Sequence, residues 1–249
     1  MSVIEVKNLT IGYGNNIILQ DLNFEIKQNE ITFLMGGSGC GKTTLLKHLI
    51  GLYPPMCGEI KIFNQSIVNN NINAKRKLMQ SFGVLYQSGA LFGSMTLAEN
   101  INLVLEECST LNAIQRRERA IEKLSLVDLE EFADYYPSDI SGGMKKRAGL
   151  ARAMALNPKL LFFDEPQAGL DPISSAGLDN LLKNLQRETG ATFVIVSHEL
   201  DSIFAIADTV FMLDKDSKSI IAQGNPHDLK RNPPNKWVNQ FMHRDPTRK

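Results

Sequence analysis

A chain of 249 residues, 43% hydrophobic and 22% charged, carries enough apolar material for one large globular domain or two small ones. Its 27 basic residues balance its 27 acidic ones, so no whole-chain field favours nucleic acid or an anionic membrane as the main partner. Three widely spaced cysteines, Cys40, Cys57 and Cys108, with no C-x-x-C pair, fit neither a disulfide scaffold nor a zinc site and suit a reducing cytosol.

At the N-terminus, MSVIEVKNLT has neither a basic n-region nor an apolar h-region, so no secretion signal is expected. Val3 to Val6 and Leu22 to Ile26 alternate apolar and polar residues as half-exposed strands do, and Glu59 to Phe63 repeats the pattern. Ile31 to Met35, Leu160 to Phe163 and Thr192 to Val196 are short and almost wholly apolar, the signature of strands buried on both faces of a parallel sheet. Helical stretches follow two of them, Thr43 to Ile50 and Ile173 to Arg187. The Asn69 to Asn73 run reads as a surface loop. From Leu97 to Ala155 no strand pattern occurs, and Ile114, Ile121 and Leu124 are expected on one helical face with charges opposite. This order predicts an α/β core with an antiparallel β region at its N-terminal edge and an inserted helical segment. No apolar run nears the roughly 18 residues that cross a bilayer, so any membrane role is expected to be peripheral.

Chemistry concentrates in a few stretches. GGSGCGKT, from Gly36 to Thr43, fits G-x-x-x-x-G-K-[ST] between a buried strand and a helix, where that motif cradles phosphate. Its glycines let backbone N–H groups curl around phosphate oxygens, Lys42 reaches the β- and γ-phosphates, and Thr43 offers a hydroxyl to Mg²⁺. LLFFDE places Asp164 at a strand end, suited to holding Mg²⁺ through water, with Glu165 next to it as a general base for the attacking water. His198, in VSHE, is a donor for the γ-phosphate or a structural histidine. Tyr13, in IGYGNN, is a ring to stack on adenine or a turn aromatic. Gln87, in LYQSG, completes a metal shell, senses the γ-phosphate, or does neither. ISGGMKKRAGLARA opens a second helix with glycine and carries Lys145, Lys146, Arg147 and Arg152, which reads as an anion site or a cationic solvated face.

The ordered set GGSGCGKT, LYQSG, ISGGM, LLFFDE with AGLD, and VSHE resembles the nucleotide-binding subunit of ABC transporters across nearly the whole chain. The resemblance implies a RecA-like P-loop NTPase core. Its Walker A loop would be Gly36, Gly37, Ser38, Gly39, Cys40, Gly41, Lys42, Thr43 and Thr44, binding ATP together with Tyr13. Gln87 would be the Q-loop; Ser141, Gly142, Gly143 and Met144 the signature motif acting in trans. Asp164 and Glu165 would form the Walker B pair, Ala168 to Asp171 the D-loop with Asp171 at its end, and His198 the switch histidine. Glu165, His198, Lys42 and Gln87 would then be the catalytic set, and Thr43, Gln87 and Asp164 the Mg²⁺ ligands. Two positions depart from the usual pattern: Met144 stands where the family most often has Gln, and Cys40 sits inside the phosphate loop.

By the same resemblance the chain is one ABC ATPase domain over 1–249. Segments 1–92 and 156–225 would form the nucleotide-binding core, 93–155 the helical subdomain with the signature, and 226–249 a C-terminal helical tail. QSGALFGSMTLAENI, SGGMKKRAGLARAMALNP and DEPQAGLDPI are similar to the ATPase subunits of Mla-type systems, which work with MCE proteins and move phospholipids between bacterial envelope membranes. The implied partners are a second copy, an integral membrane permease, an MCE-domain protein and a small STAS-domain protein, with ATP and Mg²⁺ as cofactors and no nucleic acid. The implied location is the cytoplasmic face of the bacterial inner membrane. The alternatives are the ATPase of a small-solute importer and a soluble ABC ATPase outside transport.

Overall fold

The computed structural model describes residues 1–68 and 71–245. Long alternating strands β1 (Ser2–Tyr13) and β2 (Asn16–Lys27) form a hairpin whose two-residue turn is opened by Gly14 at φ +56°. Next come β3 (Ile31–Gly36), buried at every position, α1 (Lys42–Leu49), β4 (Cys57–Ile62) and β5 (Gln65–Ser66). Asn69 and Asn70 lie outside the described residues, and the rest of the expected loop is corrected. Ile72 and Asn73 open α2 (Ile72–Met79), because the Asn71 side chain accepts the N–H groups of Asn73 (3.0 Å) and Ala74 (3.2 Å) as a helix cap does.

After β6 (Phe82–Leu85) the chain is helical: α3 (Leu97–Cys108), α4 (Ala113–Ser125), two short 3₁₀ turns and α5 (Gly142–Ala153). Reciprocal capping boxes, Thr96 with Glu99 and Asn112 with Gln115, start α3 and α4. Then follow β7 (Leu160–Asp164), α6 (Pro172–Thr189), β8 (Thr192–Val196), α7 (Leu200–Ile206), β9 (Thr209–Asp214), β10 (Ser219–Gly224), α8 (Pro226–Arg231) and α9 (Lys236–Met242). Among the described residues no helix is long and apolar enough to cross a membrane.

The apolar face expected on α4 is not the face that the helix buries. Ile114 and Ile121 are exposed, at 73% and 37%, and only Leu124 is buried. The inward stripe runs instead through Arg116, Ala120, Lys123 and Leu124, at i, i+4, i+7 and i+8. Its charged members turn inward because partners await them: Arg116 donates to Asn102 (3.1 Å) and Leu111 O (3.1 Å), and Lys123 to Asn157 (2.7 Å).

The chain divides into two compact units. The first comprises the described residues of Met1–Met79 and Thr192–Lys249. In it an antiparallel sheet of order β2-β1-β4-β5 accompanies strands β10-β9-β3-β8, where β9, β3 and β8 are parallel and β10 is antiparallel. Phe24 of β2 meets Phe211 of β9 with ring centroids 5.0 Å apart, so the two sheets share one core. Phe33, Phe193 and Phe211 are fully buried there, as the uninterrupted apolar runs require. The second unit, Gln80–Ala191, sets helices around the parallel pair β6 and β7, with Phe82 edge-on to Phe162 at 5.3 Å.

Candidate nucleotide site

In the first unit β3 and β8 run parallel, with Leu34 opposite Val196, so the segments after their C-terminal ends emerge side by side. From β3 emerges the phosphate loop; from β8 emerges His198, whose side chain is 56% exposed and lies 3.5 Å from the Glu199 carboxylate. The loop needs its glycines. Gly36 (φ +147°), Gly39 (φ +74°) and Gly41 (φ +100°) adopt backbone shapes that favour glycine, and a Cβ on Gly36 would stand 2.4 Å from the Leu213 carbonyl. Gly41 caps α1 and supplies no side-chain acceptor, which suits a helix start that takes its acceptor from an anion.

Lys42 is buried, and its ammonium donates to the carbonyls of Gly36 (2.9 Å) and Gly37 (3.2 Å), which holds the charge inside the curl of the loop. Cys40 is buried beneath Gly36. Burial pushes its thiol pKa up, against the lowering pull of Lys42. Ser38 and Gly39 are exposed, while Thr43 and Thr44 in the first turn of α1 are half-buried. A cavity of about 450 Å³ lies against the loop, lined in part by Ser38, Asp214 and Trp237. Trp237 of α9 packs toward Gly37, and Asp214 is locked by accepting the N–H groups of Asp216 (3.2 Å) and Ser217 (2.9 Å).

Tyr13 sits at the end of the β1–β2 hairpin, 42% exposed, edge-on to Tyr53 at 5.3 Å and 6.3 Å from the His48 ring. His48 is fully buried in α1. Its Nδ1 bonds the Thr44 carbonyl (2.8 Å), its Nε2 has no hydrogen-bond partner, and desolvation lowers its pKa. Tyr13 is therefore a half-open ring braced from beneath by the helix that follows the phosphate loop, a geometry that suits stacking on a base.

The second unit brings together most of the remaining candidates. β6 pairs in parallel with β7, Leu85 opposite Phe163, so exposed Gln87 and the half-buried Asp164 and Glu165 follow adjacent strand ends. Glu165 has φ +48°, an unusual backbone for a non-glycine residue and one that marks functional sites. Asp171 caps α6, accepting N–H groups of Ile173 and Ser174, both at 3.0 Å, and the Ser174 hydroxyl bond holds its carboxyl below the usual range. Ser141 caps α5 in the same way through Met144 N–H (3.3 Å). Ser141 and Gly142 are exposed. A Cβ on Gly142 would meet nothing within 4 Å, and one on Gly143 would find only Leu170 at 3.9 Å.

Four residues take roles that the sequence did not assign to them: Lys146, Arg152, His48 and Trp237. Lys146 turns inward to the carbonyl of Pro166 (2.6 Å). Arg152 donates to Ala90 O (2.7 Å) and Gly89 O (3.1 Å), and so holds the strained turn after Gln87, where both residues have positive φ. Of the other basic residues at the signature, Arg147 pairs with Asp128 (3.2 Å) and Lys145 is half-buried. The signal for Lys146 was its place on the i, i+3, i+4 stripe with Gly149 and Leu150; for Arg152, His48 and Trp237 no local pattern exists, because their partners are distant in sequence.

A family model described as ABC transporter matches residues 19–168. The chain is 40% identical over 228 residues to the intermembrane phospholipid transport system ATP-binding protein MlaF of Haemophilus influenzae, covering 92% of this chain and 86% of that protein. It is 40% identical over 210 residues to the probable ribonucleotide transport ATP-binding protein mkl of Mycobacterium leprae, covering 84% of this chain and 60% of that one. Against the Fe(3+) ions import ATP-binding protein FbpC of Escherichia coli K12 it is 36% identical over 239 residues, covering 96% and 66%. The chain thus spans less than two thirds of the length of the last two. Among solved structures it matches cbiO1 of Clostridium perfringens, part of the ABC transporter complex cbiONQ, with TM-score 0.82 and 27% identity over 97% of this chain and 98% of that one. It also matches the dimeric post-hydrolysis state of the ATP-binding cassette MJ0796 bound to ADP and Pi, with TM-score 0.78 and 31% identity over 89% and 98%.

Proposed function

We propose that this chain, which belongs to the ABC transporter family and is an ATPase subunit of a transporter, works as a head-to-tail pair that drives phospholipid movement through a membrane permease. The observation that carries the pairing is the start of α5. Among the described residues nothing asks for glycine at 142, since its φ is ordinary and a side chain would stand in open space, yet the helix start is exposed. An exposed, anion-favouring helix N-terminus that opens on glycine suits a phosphate held by another copy. Dimeric forms of the MJ0796 cassette support pairing of two copies.

In this reading ATP lies on the phosphate loop of one copy, its adenine against Tyr13, its phosphates on the loop amides and Lys42. Ser141, Gly142, Gly143 and Met144 of the other copy close over the γ-phosphate, beside Asp171. Glu165 takes a proton from the attacking water, and His198 donates to the γ-phosphate oxygens. Thr43, Gln87 and Asp164 all offer oxygen, the donor that suits Mg²⁺. Among the described residues no group of three or more His, Cys, Asp and Glu could hold a metal ion by itself. When bound, Mg²⁺ would neutralise developing phosphate charge.

Phospholipid as cargo is supported by the likeness to MlaF, which extends over most of both chains. The permease, MCE-domain and STAS-domain partners and a peripheral place on the cytoplasmic face of the inner membrane follow from that reading. Two measurements test it. Lys42→Ala should abolish phosphate release, and Glu165→Gln should form an ATP-dependent dimer in size exclusion; unchanged release in the first overturns the catalytic reading. Purification of the tagged chain from its own membranes should bring a permease with an MCE-domain protein, whereas a permease with a periplasmic solute-binding protein identifies an importer instead.

A further inference from the structure

We infer that Lys146 is a positioning residue for hydrolysis: its buried ammonium holds the backbone just after Glu165, and so ties the signature helix to the catalytic carboxylate of the same chain. The inference rests on the reading of Glu165 as the general base.

Helix α5 begins at the exposed Ser141, and little more than one turn later Lys146 is 6% exposed. A lysine on a helix normally carries its head out to water along its own stem. This one does the opposite. Its Nζ donates to the carbonyl of Pro166 at 2.6 Å and to the carbonyl of Ala168. Both bonds are charge-assisted, and both acceptors are main-chain atoms, so the cation grips the fold of the turn and not a side chain that can rotate away.

The turn it grips is under constraint. Glu165 has φ +48°, a backbone shape that persists only where surrounding contacts enforce it. Ala168 N–H returns to Glu165 O at 3.1 Å, Leu170 N–H to Gln167 O at 3.1 Å, and buried Gln167 is fastened to Asp179 at 2.7 Å. Lys146 closes this cage from the helix side. Burial lowers the Lys146 pKa, and Glu165 opposes that by favouring the charged form. A shift of α5, such as closure of a partner copy on Ser141 to Gly143 would produce, reaches the Glu165 backbone through one side chain.

The test compares steady-state hydrolysis by the full chain, assembled with its permease, for the parent, K146Q, K146M and E165Q, with KM for ATP and Tm measured alongside. Gln keeps two N–H donors without charge, and Met keeps the stem with no donor. The expected result is a kcat at least threefold below the parent for K146Q and lower again for K146M, with KM within twofold and melting preserved. A fall of less than threefold in K146Q, equal falls in the two variants, or a KM change that matches the kcat change overturns the inference. Should K146M fail to fold, the K146Q result decides by the same limits. Hydrolysis retained by E165Q would instead overturn the assignment of Glu165, while an inactive E165Q beside near-parental Lys146 variants overturns this inference alone.

Discussion

Replacing Gly142 by Ala separates a role inside the chain from a role toward a partner. In the folded monomer the new methyl meets no atom within 4 Å, and the residue does not need positive φ. Gly to Ala at such a position stabilises by about 0.4–1 kcal/mol, chiefly by restricting the unfolded chain. For a chain of this size that is a rise of about 1–4 °C in Tm. In the proposed pair the same methyl would stand between the α5 amides and the γ-phosphate bound by the other copy. Hydrogen bonds to a charged group contribute about 1.5–3 kcal/mol each, so the loss of one weakens ATP-dependent pairing by about tenfold or more. The assay is scanning fluorimetry beside phosphate release and size exclusion in the Glu165→Gln background. A higher Tm with turnover at least tenfold lower is expected. Parental turnover in a stably folded G142A would refute the assignment of this helix start to a neighbour's phosphate.

Gly36→Ala should behave in the opposite way and fail within the monomer, since its Cβ would lie 2.4 Å from the Leu213 carbonyl at φ +147°; a loss of about 3 kcal/mol, or about 6–12 °C in Tm, is expected by calorimetry. Cys40, buried with a raised thiol pKa, should react with iodoacetamide at pH 7.5 far more slowly than exposed Cys57, read by peptide mass spectrometry, and equal rates would contradict the packing. Burial depresses the folded-state pKa of His48, so the unfolded chain takes up its proton first as pH falls. Stability is full above the unfolded value of about 6.5 and declines below it until the folded pKa is passed. The drop in Tm between pH 7.5 and pH 5 should therefore be smaller in His48→Gln than in the parent.

Much of the nucleotide site is legible in the linear text because its chemistry is local. A loop that wraps phosphate with its own amides must be contiguous, and it needs glycine wherever φ turns positive, as at 36, 39 and 41. Strands buried on both faces announce themselves as uninterrupted apolar runs, and β3, β7 and β8 lie where those runs fall. Capping is equally local, and Ser141 and Asp171 each serve the helix they precede. Residues whose burial depends on remote partners do not read this way. The isoleucines of α4 face outward while Arg116 and Lys123 face inward, because the acceptors at Asn102, Leu111 and Asn157 outweigh the simple polarity pattern. The basic run at the signature looked uniform; only the fold separates Lys146, held on the turn after Glu165, from Arg147 on Asp128 and Arg152 on the turn after Gln87. The sequence by itself marked the backbone proposed to hold phosphate, since that follows from φ and from the spacing of glycines. The tertiary structure alone decided which charges are structural ties, since a buried cation is stable only where distant carbonyls converge on it.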